Sequence, residues 1–113
     1  MSRRLFMVWT SPIFRDSIQL LLTHPEIEWV GTAPDYETVQ DEIHQLHPDT
    51  IIVEEVDGGL PTKMIELLET DNSVLQLICV SLEDNRLRIF SRENKAVAEA
   101  SDLLQLILQR RFL

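Results

Sequence analysis

Thr50-Ile51-Ile52-Val53 lies between His47-Pro48-Asp49 and the acidic pair Glu54-Glu55. All four residues are β-branched, a side-chain type that loses rotamer freedom in a helix and packs well on a pleated surface. The run has no charged alternate position, so neither face of the strand is written for water. A strand covered on both faces is the signature of a parallel sheet with helices above and below it.

Working outward, the same alternation recurs. Leu5-Phe6-Met7-Val8-Trp9 is a second continuous apolar run. Ser11-Pro12 after it reads as a helix N-cap followed by proline at the first helical position. Phe14, Ile18, Leu21 and Leu22 then fall on one helical face, and His24-Pro25 stops that helix. Ile27-Glu28-Trp29-Val30 reads as a short strand. Asp35 is positioned to cap a second helix whose apolar face is Tyr36, Val39, Ile43 and Leu46, ended by His47-Pro48-Asp49. Gly58-Gly59 and Pro61 mark a loop, Met64, Ile65, Leu67 and Leu68 a third helix, and Val74–Val80 a fourth strand. The order β-α-β-α-β-α-β, with crossovers of helical length, predicts a parallel sheet with right-handed connections.

After Ser81 the pattern changes. Leu82–Phe90 carries no helical stripe. Instead Arg86–Phe90 alternates, with Leu87 and Ile89 on one side and Arg86, Arg88 and Phe90 on the other. Ser91–Asn94 is turn-like and Lys95–Ala98 reads as a returning strand, so a β-hairpin is expected here. Ser101 caps a last helix with a stripe of Leu104, Ile107 and Leu108.

The 113 residues fit one domain, 1–113, with no internal repeat and no linker-like tract. Ten basic against nineteen acidic residues give a net charge of −9. That field repels phosphate backbones and anionic lipid, which argues against nucleic-acid and membrane partners. The basic pairs Arg3-Arg4 and Arg110-Arg111 form no stripe. The single cysteine, Cys79, rules out an intramolecular disulfide and suits a cytoplasmic setting. Within its apolar run it reads as a small buried hydrophobe rather than a reactive thiol. The first apolar run is too short for a signal-peptide core, and no stretch approaches the ~18 apolar residues of a membrane span.

The succession Leu5-Phe6-Met7-Val8, Ser11-Pro12-Ile13-Phe14-Arg15, Pro25-Glu26-Ile27-Glu28-Trp29-Val30-Gly31 and His47-Pro48-Asp49-Thr50-Ile51-Ile52-Val53 resembles the receiver domain of bacterial two-component response regulators, the LuxR-type regulators in particular. The likeness covers roughly residues 4–81. It implies a flavodoxin-like doubly wound sheet of order 2-1-3-4-5, with the fourth helix replaced by the hairpin. It also places a crevice at the carboxyl ends of the strands, at the switch point between strands 1 and 3. Trp9, Thr10, Glu54, Glu55 and Ser81 are expected around it. With Leu113 as its last residue, the chain is expected to work without the DNA-reading domain those regulators carry.

Carried over residue by residue, the resemblance implies a degenerate phosphoacceptor pocket. The metal-holding acidic pair falls on Trp9 and Thr10, neither of which is a carboxylate, whereas Mg²⁺ demands oxygen ligands in close octahedral geometry. The acceptor aspartate falls on Glu54, a permanently charged mimic more than an acceptor. The hydroxyl falls on Ser81, in agreement with the family. The lysine has no counterpart, although Lys95 is near in sequence. The chain is therefore expected to be a stand-alone pseudo-receiver, not an enzyme, with no cofactor and no metal, acting through protein partners. The alternatives are a phosphoacceptor using a non-standard acid and a small-ligand sensor using the Trp9 crevice.

Each of these residues also has a plain structural reading. Trp9 after an apolar strand is ordinarily core, and Ser81 is an ordinary strand-ending hydroxyl. Glu54, Glu55 and Asp57 make a cation site or, more simply, a solvated acidic loop. His44 and His47 share one side of a helix end, where they suit the macrodipole better than a metal lacking further ligands. Gly58-Gly59 matches no phosphate-cradling motif. For partners, the hairpin and last helix are the expected surface: Arg86, Arg88 and Arg92 as edge charges or rim contacts, and Phe90 and Phe112 as apolar contacts, with a homodimer as one form of it.

Overall fold

In the computed structural model the β-branched segment is the centre of a six-stranded sheet of order β2-β1-β3-β4-β5-β6. The structure describes residues 3–34, 39–55, 64, 66, 68, 70, 74–91, 95–98 and 103–109. The strands are β1 (Arg3–Val8), β2 (Ile27–Ala33), β3 (Thr50–Glu54), β4 (Gln76–Ser81), β5 (Arg86–Ser91) and β6 (Lys95–Ala98). β1 pairs in parallel with β2 and β3, and β3 in parallel with β4. The helices are α1 (Pro12–Leu21), α2 (Val39–Leu46) and α3 (Leu103–Gln109), and Met64, Glu66, Leu68 and Thr70 are helical as well.

Side-chain alternation divides the core into two layers, as the absence of polar alternates in Leu5–Val8 and Ile51–Val53 requires. Leu5, Met7, Ile52, Ile78, Val80, Leu87 and Ile89 face α1 and α3, whose Phe14, Ile18, Leu22, Leu103 and Ile107 close that layer. Phe6, Val8, Ile51, Val53 and Leu77 face α2 and the 64–70 helical residues through Val39, Ile43, Met64 and Leu68. Burying one such aliphatic side chain stabilises the fold by about 1.5–3 kcal/mol before chain entropy is set against it. The predicted helical stripe of α1 holds at Phe14, Ile18 and Leu22, but Leu21 is exposed. Val39 and Ile43 are buried in α2, with Leu46 packed partly against the same layer. Asp35, Tyr36, Ile65 and Leu67 lie outside the described residues.

The arginines that open β1 explain why both layers stay registered on the sheet. They alternate faces as any two neighbours in a strand do. Arg3 donates to the carbonyls of Ile107 and Leu108 at the end of α3, at 3.2 and 3.0 Å. Arg4 donates to the carbonyl of Leu46 at the end of α2, at 2.6 Å, and pairs with Glu28 at 2.9 Å. Each guanidinium therefore satisfies orphan carbonyls and sits at the negative end of a helix dipole.

The departure from a purely parallel sheet begins at Ser81. Leu82–Asn85 form a tight turn, with Asn85 in the left-handed region at φ 51°, a conformation asparagine tolerates better than most residues. The chain therefore reverses at once instead of crossing over through a helix. β5 runs antiparallel to β4, and β6 antiparallel to β5. The expected hairpin is present, and it extends the main sheet. Among the described residues no helix is long and apolar enough to cross a membrane.

Candidate functional site

The carboxyl ends of β3 and β4 meet the start of α1 at a hollow of about 220 Å³. Ser11, Phe14 and Ile13 close it on the helix side, Glu54 and Glu55 on the β3 side, and Ser81, Leu82 and Glu83 on the β4 side. Three of the five expected crevice residues, Glu54, Glu55 and Ser81, line it.

Glu54 does not project into this hollow as a free acid. Its Oε1 accepts from the backbone N–H groups of Thr10, at 2.7 Å, and Ser11, at 2.9 Å. Its Oε2 accepts from the Ser11 hydroxyl at 3.1 Å. The local sequence makes this fit. β1 ends at Val8, Pro12 starts α1, and the N–H groups just before a helix point outward with no intrahelical acceptor. The Ser11 hydroxyl serves twice, accepting from Phe14 N–H at 3.2 Å as the N-cap while donating to Glu54. A carboxylate at the positive end of a ten-residue helix is favoured by the helix dipole as well. Partial burial on its own pushes the Glu54 carboxyl up. The Thr10 and Ser11 N–H groups and side chains outweigh it and hold the carboxyl below the usual glutamate range. These bonds hold the carboxylate against the start of α1 and favour its charged form.

Glu55 is turned the other way. Its Oε1 accepts from Arg88, whose guanidinium also lies 3.8 Å from Cys79 Sγ. Arg88 and Cys79 are direct partners in the β4–β5 register. Burial raises the Cys79 thiol above the ordinary value, an effect Arg88 opposes only in part. Cys79 is thus the buried small hydrophobe its sequence context indicates. Glu54 and Glu55 diverge, one to a helix end and one to an arginine, and Asp57 lies outside the described residues. Among the described residues no three His, Cys, Asp or Glu side chains are grouped to hold a metal.

Trp9 sits apart from the hollow. Its indole packs against the α1–α3 layer, and the Arg15 guanidinium lies over the ring, 4.7 Å from its centroid. The hollow between α1 and the ends of β3 and β4 is lined without Trp9, whose indole packs on the layer that holds Leu5 and Met7. Thr10 contributes its N–H to Glu54 and is exposed. Ser81 Oγ lies 3.4 Å from Asp84 Oδ2 and from Asp84 N, bracing the tight turn.

Of the expected partner surface, Arg88 is committed to Glu55 and Phe90 packs partly against the α2 layer. Arg86 is exposed, 3.9 Å from Asp84. Arg92 and Phe112 lie outside the described residues, as do Gly58 and Gly59. Lys95 is in β6, paired with Phe90 at the far side of β5 from the hollow. His44 is in α2 and His47 follows it with φ 51°. Sequence reasoning missed Ser11 as a partner of Glu54, although Ser11-Pro12 was legible as a cap. The Arg88–Glu55 pair had no local signal, since 33 residues separate the two. The chain matches no protein-family model and no curated protein.

Proposed function

We propose that this chain is a pseudo-receiver: a signalling module that works by protein–protein contact and takes no phosphoryl group. The reading is supported by the strand order, by helices on both faces of the sheet, and by a carboxylate at the end of β3 facing the start of α1. One observation carries it. Glu54, at the acceptor position implied by the resemblance, spends both oxygens on Thr10 and Ser11. A Glu54 oxygen that attacked phosphorus would have to give up or share these bonds, and it would need a metal beside it to neutralise the charge that develops. Trp9 and Thr10 supply no carboxylate for that metal. The negative charge at residue 54 is instead permanent and internal, so α1 keeps one position without a phosphorylation step.

The test is incubation of the chain with acetyl phosphate or phosphoramidate and Mg²⁺, followed by intact mass. Unmodified protein is expected. An adduct of one phosphoryl group mapped to Glu54 or Glu55 overturns the reading and restores the phosphoacceptor alternative.

A further inference from the structure

We draw no further inference here: the strongest candidate, the outer edge of β6 at the end of the sheet, where among the described residues the strand pairs on one side only, with β5, carries nothing because nothing in the structure shows what covers it.

Discussion

Replacing Glu54 by alanine removes three hydrogen bonds at once and leaves the Thr10 and Ser11 N–H groups with water as their only acceptor. Loss of a helix cap of this kind costs about 0.5–2 kcal/mol, and the favourable charge at the helix N-terminus adds about 0.3–1 kcal/mol. The site is partly open to solvent, which screens the charge and keeps the sum toward the low end. Glu54→Ala should therefore destabilise the chain by about 1–2 kcal/mol at pH 7. For a domain near this size that is a drop in Tm of roughly 4–12 °C. Glu54→Gln keeps an acceptor oxygen but not the charge, and should lose about half as much. The pH dependence has a definite sign. The folded-state carboxyl is held below its ordinary value, so its contribution is complete above the ordinary glutamate range near pH ~4.3 and is lost as pH falls through the lowered folded-state value. Urea unfolding followed by Trp9 and Trp29 fluorescence, at pH 7 and at steps down to pH 3, measures this. The gap between the native chain and Glu54→Gln should close toward acid. A Glu54→Ala variant as stable as the native chain at pH 7, or a gap that stays constant to pH 3, refutes this role of Glu54.

Three other substitutions probe the elements that hold the site. Arg88→Ala leaves Glu55 half-buried and unpaired, and should cost about 1–3 kcal/mol, with a coupling of about 1 kcal/mol or more to Glu55→Ala in a double-mutant cycle measured by urea unfolding. Gly31→Ala would bring a Cβ within 2.9 Å of the Phe6 ring and 3.1 Å of Leu46, so overpacking of about 1–3 kcal/mol is expected in thermal melts. Arg3→Ala uncaps Ile107 and Leu108, and should speed amide exchange in α3 selectively while lowering stability by about 1 kcal/mol.

The layers of the fold were legible because they rest on period and branching. Thr50–Val53 and Leu5–Val8 show no polar alternates, and both are sheet interior with layers on either side. The hairpin was legible from the Arg86–Phe90 alternation. The turn that makes β5 antiparallel to β4 was written too, in Asp84-Asn85, but a four-residue turn leaves no periodic trace. Leu21 was assigned to the core because it fits the helical stripe, but it is exposed whereas Leu22 beside it is buried. The candidate site was legible only as a set of positions. Glu54, Glu55 and Ser81 converge on one hollow as expected, but which way each carboxylate turns depends on contacts 33 to 44 residues away in sequence, with Arg88 and with Thr10 and Ser11. Trp9 packs beside Arg15 of α1, a contact that its place at the end of an apolar run does not reveal.

The central claim is that Glu54 is a permanent internal anion at the start of α1. A ¹³C titration of the Glu54 side-chain carboxyl, assigned with Glu54→Gln and recorded with and without millimolar Mg²⁺, tests it most directly. The account predicts a single titration below the ordinary glutamate value, mirrored in the Thr10 and Ser11 amide protons and unmoved by Mg²⁺. A carboxyl that titrates normally while those amides stay silent, or one whose resonance follows Mg²⁺, contradicts it.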